Sequence, residues 1–167
     1  MHVQVSEHQN VDYNEVAQNI RAEGFKRYVA GFDRLVFTNG CFDLLHAGHL
    51  STLRHAFELA GSTGAVVVGL NTDDSVRRLK GPARPIIDEN SRGQLLVSLK
   101  YVDFVVTFDE DTPLRLIEAL RPNAIVKGGD YHDVTTVVGH DLAEVVITPY
   151  MGAVSTSEII AKIRSLP

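Results

Sequence analysis

A chain of 167 residues, 44% hydrophobic and 22% charged, has the size and usage of one soluble globular domain that buries a core without disulfides or metal staples. Its formal net charge of −5 excludes a general nucleic-acid binder, which needs a basic surface to displace counterions, and no apolar run approaches membrane-spanning length, so neither nucleic acid nor membrane is an expected partner. Cys41 is the single cysteine and the opening Met-His-Val-Gln-Val-Ser-Glu lacks the charged and apolar regions of a signal peptide, so a reducing, cytoplasmic setting is the expectation.

The pattern predicts a leading helix over residues 11–30, with Val16, Ile20 and Phe25 at helical spacing. Five short apolar runs follow, Leu35-Val36-Phe37, Ala65 to Val68, Phe104-Val105-Val106, Ala124-Ile125-Val126 and Val145-Val146-Ile147, and they read as buried strands. Amphipathic stretches separate them. Leu50, Leu53, Phe57 and Ala60 line one helical face, and Leu95, Leu96 and Leu99 mark another helix. Thr112-Pro113 predicts a helix start with a capping hydroxyl and proline at the first position, ended by Arg121-Pro122. Ser155-Thr156-Ser157-Glu158 has capping-box spacing before a last helix through Ile159, Ile160 and Ile163. Strand-helix alternation implies a parallel sheet with both faces covered.

Ligands of such a sheet bind beyond the carboxyl ends of its strands, and Thr38 to His49 lies there. Gly40 and Gly48 permit close backbone approach, and a helix start after them presents unpaired amides and a positive dipole end to phosphate. His46 and His49, three apart, share one face of that start. Such a donor set suits nucleotidyl transfer, in which a phosphate attacks the α-phosphorus and charge builds on nonbridging and leaving oxygens, with positioned donors, cations and magnesium doing most of the work.

His46-Ala47-Gly48-His49 is the His-x-Gly-His signature, by which the chain resembles the cytidylyltransferase-like nucleotidyltransferase superfamily. Val76 to Ile86, Phe108 to Pro113 and Val126 to Tyr131 narrow the likeness to the bacterial D-glycero-β-D-manno-heptose 1-phosphate adenylyltransferases, over nearly all of the chain from Leu35 on. The resemblance implies one nucleotidyltransferase domain over residues 1–167, an α/β Rossmann-like five-stranded parallel sheet flanked by helices. It implies transfer of AMP from ATP, with Mg2+ as cofactor, to a heptose 1-phosphate. A homodimer and a separate heptose kinase are its expected partners, because 167 residues leave no room for a fused kinase.

By the same resemblance His46, His49 and Lys80 are the expected catalytic residues. Thr38, Asn39, Gly40, Cys41, Phe42, Gly48, Gly128 and Asp130 are expected at the nucleotide, and so is Ser155-Thr156-Ser157, the counterpart of the family's Ser-Thr-Thr segment. Ser157 replaces its third threonine and Ala153 a preceding glycine, for which Gly152 stands nearby. Asp43, Asn71, Arg84 and Lys127 are the expected substrate contacts. Several roles stay open on chemistry alone. Asp43 can bind magnesium, meet sugar hydroxyls or hold its loop; Asp130 can accept from sugar or base or be structural; Asn71, with Thr72, Asp73 and Asp74, also suits a helix cap. Cys41 suits packing better than nucleophilic attack, which this transfer does not need. Arg77, Arg78, Lys80 and Arg84 form a basic cluster, and Gly81-Pro82 and Pro85 favour a loop there. His132 and His140 have no partners at zinc-ligand spacing, so no structural metal is expected. The rival readings are a cytidylyltransferase for glycerol 3-phosphate or another small phosphate, FAD synthesis, and a noncatalytic nucleotide-binding regulatory module.

Overall fold

The computed structural model describes residues 3–5, 29–129, 131–149 and 155–167. Its sheet contains β1 (Val3–Val5), β2 (Leu35–Gly40), β3 (Ala65–Asn71), β4 (Phe104–Phe108), β5 (Ala124–Lys127) and β6 (Glu144–Ile147), in the order β1-β4-β3-β2-β5-β6. The strands from β2 to β6 run parallel and are the five expected, in an α/β Rossmann-like arrangement. The sixth, β1, was not expected and pairs antiparallel along β4, with Val3 opposite Val106; three residues carry too little alternation to announce a strand. The predicted helix over 11–30 lies outside the described residues except at Val29 and Ala30, where Val29 is buried in the core.

The helices are α1 (Ala47–Ala60), α2 (Asp73–Lys80), α3 (Glu89–Val97), α4 (Leu114–Leu120) and α5 (Thr156–Arg164), with a 3-10 turn at Val134–Thr136. Successive residues of a strand point to opposite faces, so β2 sends Val36 to one layer and Phe37 to the other. Val36 packs with Leu53, Ala56 and Ala60 of α1 and Leu96 of α3. Phe37 packs with Leu116, Ile117 and Leu120 of α4. Helices on both faces explain why β3 is buried along its whole length, a continuous apolar run rather than an alternating one. Gly69 of β3 makes room for Phe37, because a Cβ there would lie 2.8 Å from the Phe37 ring.

Three helix details differ from expectation. The buried stripe of α1 is Thr52, Leu53, Ala56 and Ala60, so Leu50 and Phe57 stay on the open side. Leu95 is likewise exposed, while Arg92, one turn before Leu96, is buried. Helix α4 begins one residue later than predicted, with Pro113 itself at the cap and no capping side-chain bond. Arg121 then ends it in the left-handed region at φ 50°. Among the described residues no helix is long and apolar enough to cross a membrane.

From β2 the chain steps to β3 and β4 on one side and returns to β5 and β6 on the other. The crossovers after β2 thus diverge, opening a crevice at the carboxyl ends of β2 and β5.

Candidate active site

The turn leaving β2 is built around two rings. Phe42 takes a left-handed conformation at φ 45°, and its ring lies beneath Gly40, where a Cβ would stand 3.3 Å from it. Any larger residue at 40 would require the Phe42 ring to give by a few tenths of an ångström. The other side of the Phe42 ring meets His49, 5.0 Å between centroids. His46 occupies the cap position of α1 in extended conformation, yet its side chain makes no capping bond. Its ring stacks on His49 instead, 3.8 Å between centroids and 26° between planes. The first amides of α1 are therefore left without a side-chain acceptor.

The Nδ1 atoms of both histidines are buried without a hydrogen-bond partner among the described residues. A buried orphan nitrogen is costly and calls for an explanation, such as a ligand that completes it. Burial pushes the His49 imidazole down to about 4, with His46 beside it adding to the effect, and burial also lowers His46. Both rings are thus neutral at pH 7, stacked without the repulsion of two cations, and each retains one N–H to donate.

They open on a cavity of about 770 Å³ at the strand ends. Every expected site residue that is described borders it: Thr38, Asn39, Gly40, Cys41, Phe42, Asp43, His46, Gly48 and His49 from the β2–α1 turn, Asn71, Lys80 and Arg84 beyond β3, Lys127 and Gly128 beyond β5, and Ser155, Thr156 and Ser157 at the start of α5. Asp130, Gly152 and Ala153 lie outside the described residues. Ser155 forms the predicted capping box, accepting from the Glu158 amide while Glu158 accepts from the Ser155 amide. Thr156 donates to the Leu44 carbonyl at 3.4 Å, which ties this helix start to the β2–α1 turn. Burial raises the Cys41 thiol, against the nearby cations of Lys80, Arg92 and Arg84, which makes the residue a poor nucleophile.

Some expected contacts are engaged within the protein. The Asp43 side chain is fully enclosed; Oδ1 accepts from the Ile86 and Ile87 amides at 2.7 and 2.9 Å, and Oδ2 accepts from Arg84 Nε. Of its three open roles the structure shows the loop anchor, at the border of the cavity. Asn71 donates to Ser75 Oγ at 2.9 Å and so braces α2. Lys127 Nζ donates to Asn39 Oδ1 at 2.6 Å across the mouth of the switch point. The basic cluster is also divided. Arg77, Arg78 and Lys80 lie on α2 rather than in a loop, because the helix persists to Gly81. Arg77 pairs with Asp74 and Asp73, and Arg78 with Asp111 and Asp109, leaving Lys80 and Arg84 at the cavity.

Arg92, which no motif of the sequence marks, is the largest fully buried side chain among the described residues. Its guanidinium donates to the carbonyls of Cys41 at 2.5 Å, Asn71 at 3.0 Å and Ile87 at 2.9 Å, and to Asp73 Oδ1 at 2.7 Å. It thus joins the ends of β2 and β3 to the loop that carries Arg84. The available signal was its register: Arg92 shares a helical face with Leu96. Also unforeseen at the cavity wall are Asp111 and Thr112 after β4, Tyr131 after β5, and Thr148 and Pro149 after β6. Among the described residues no group of three His, Cys, Asp or Glu side chains converges as metal ligands do.

Comparison with known proteins places this arrangement. The family described as Cytidylyltransferase-like matches residues 37–162. Among curated proteins, the bifunctional protein HldE of Trichlorobacter lovleyi is 46% identical over 162 residues, which cover 94% of this chain and 32% of that protein. HldE of Geotalea uraniireducens is 53% identical over 79% of this chain and 27% of its own length. HldE of Vibrio cholerae is 43% identical over 93% of this chain and 33% of its own length. The chain spans about a third of the length of these relatives. Among solved structures, the lipopolysaccharide core biosynthesis protein from Thermoplasma volcanium superposes with a TM-score of 0.58 at 29% identity, over 70% of this chain and 97% of that one. The macrolide-efflux protein from Streptococcus pneumoniae shares the fold, with a TM-score of 0.57 at 20% identity over 83% of this chain and 55% of that one.

Proposed function

The chain belongs to the cytidylyltransferase-like family, and from that premise we propose that it transfers AMP from ATP to D-glycero-β-D-manno-heptose 1-phosphate, giving ADP-heptose and pyrophosphate. One observation carries the reading: a stacked pair of neutral histidines, each with an orphaned buried nitrogen, opens on the cavity where the crossovers diverge. The similarity to HldE proteins and to a lipopolysaccharide core biosynthesis protein supports heptose as the acceptor.

In the proposed reaction an oxygen of the sugar 1-phosphate attacks the α-phosphorus of ATP, and the bond to the β-phosphate oxygen breaks. Charge grows on the nonbridging oxygens and on the departing pyrophosphate. His46 and His49 donate to those oxygens, and Lys80 supplies a mobile positive charge beside them. Arg84 is held by Asp43 through Nε, which fixes the plane of its guanidinium. The amides at the starts of α1 and α5 face phosphate with the positive ends of their helices. A buried, water-poor pair of donors stabilises the transition state without reorganising, and so contributes more than the same groups in water.

Magnesium enters this scheme with the nucleotide. The Asp43 carboxylate is taken by Arg84 and two amides, and no dedicated ligand group converges among the described residues. Magnesium commonly keeps its waters and binds through substrate phosphates, so ATP is written as its magnesium complex. The same reading includes a cytoplasmic homodimer supplied with heptose 1-phosphate by a kinase.

Pyrophosphate release tests the proposal when the protein is given ATP or CTP with heptose 1-phosphate, glycerol 3-phosphate and other phosphorylated polyols. Turnover with ATP and heptose 1-phosphate is expected. Turnover confined to CTP, or nucleotide binding without turnover on any acceptor, overturns it.

A further inference from the structure

The two ends of the cavity differ in chemistry. Beyond β5 and β6 its wall includes Tyr131, Val138 and Pro149, flat or apolar surfaces suited to a base, beside the hydroxyls of Thr136 and Thr148. Beyond β3 and β4 it is walled by Lys80, Arg84, Asp111 and Thr112, two cations next to a carboxylate and a hydroxyl. A sugar phosphate has that same composition, an anion joined to a neutral polyol.

The wall beyond β4 is built rather than incidental. Thr72, Ser75 and Arg78, three apart on one face of α2, each bond to the loop after β4. Thr72 donates to Asp109 Oδ1 at 2.5 Å, Ser75 Oγ to the Glu110 carbonyl at 3.2 Å, and Arg78 Nε to Asp111 Oδ1 at 2.9 Å. Arg78 also donates to the Asp109 carbonyl. Helix α2 ends in Lys80, so this ladder fixes the distance between a cavity cation and the Asp111–Thr112 pair. Arg78 engages Oδ1 of Asp111, and among the described residues no hydrogen bond engages Oδ2 or the Thr112 hydroxyl, which can accept, and in the case of the hydroxyl also donate.

Resting on the functional reading above, the geometry points to Asp111 and Thr112 as the residues that contact hydroxyls of the acceptor sugar and set acceptor specificity. Arg84 holds its phosphate in the same lobe, beside Lys80. Hydrogen bonds from these side chains favour acceptors that carry hydroxyls over acceptors that lack them.

Steady-state kinetics of the full chain with ATP and heptose 1-phosphate test this. Thr112→Val conserves volume and breaks no side-chain hydrogen bond among the described residues, and Asp111→Asn keeps an acceptor for Arg78 while removing the charge. Each is expected to raise the acceptor KM roughly tenfold, with kcat and the KM for ATP within about twofold. The preference for heptose 1-phosphate over shorter phosphorylated polyols should narrow in step. An unchanged acceptor KM in Thr112→Val overturns the inference while wild-type turnover leaves the functional reading standing. So does a rise in the KM for ATP instead. Absence of wild-type turnover with heptose 1-phosphate overturns the functional reading and this contact with it.

Discussion

The β2–α1 turn and the wall beyond β3 and β4 border the same cavity but are assembled in opposite ways. The turn is local. Gly40, Phe42, His46 and His49 fall within ten residues, and their rings pack on one another. The opposite wall is a set of distant pairs: Asp43 with Arg84 and the Ile86 and Ile87 amides, Arg92 with Cys41, Asn71 and Asp73, and α2 with the loop after β4. In the turn, polar nitrogens are buried and left unsatisfied; in the wall, buried polar groups are matched. The difference separates a region that holds unsatisfied groups for chemistry from one that holds it in place.

The largest effect is expected where the wall is cut. Arg92→Met fills similar volume but strands three carbonyls and removes the nearer of the two cations that pair with Asp73, so unfolding free energy should fall by about 3 kcal/mol or more. Urea denaturation monitored by circular dichroism reads this directly. A loss below about 1 kcal/mol would mean that water replaces the guanidinium and that the wall is not held as described.

Cutting the turn should do the reverse. His46→Ala and His49→Ala are each expected to lower kcat/KM by roughly 10²–10³ while stability stays within about 1 kcal/mol, because each removes an orphaned nitrogen along with its ring. Unchanged kcat/KM in folded protein removes the histidines from the transition state. A stability loss as large as that of Arg92→Met erases the contrast between the two regions.

That contrast also explains what could be read in advance. The five parallel strands were legible because strands buried on both faces are continuous apolar runs, and β3 is such a run. The histidine turn was legible because its parts lie within one short segment whose glycine and histidine spacing itself implies an anion site. Arg92 was not, since its partners at 41, 71 and 87 come from three separate elements and its own segment reads as an ordinary surface helix. The role of Asp43 was open for the same reason: its amide donors at Ile86 and Ile87 lie more than forty residues away. Likewise the split of the basic cluster depended on Asp109 and Asp111 across a neighbouring strand, which composition within α2 does not reveal.

The smallest effect concerns protons, and it separates the two regions by pH alone. His49 titrates at about 4 in the folded chain against about 6.5 when unfolded. Between those values the unfolded chain binds more protons, so this group makes stability fall as pH drops from about 6.5 towards 4, with its full contribution present above that window. His49→Gln should flatten this part of the stability profile, and Arg92→Met should lower the profile without changing its slope there. Phosphate reverses the balance. An anion beside the imidazoles favours the imidazolium, raising the His49 value, so pyrophosphate binding near pH 6 should take up protons and binding near pH 8 should take up fewer. Titration calorimetry in two buffers of different ionisation enthalpy measures that uptake. Equal uptake by wild type and His49→Gln would place the titrating group elsewhere. Loss of uptake in His49→Gln, alongside its retention in Arg92→Met, would assign the proton to the turn and leave the wall a purely structural part of the site.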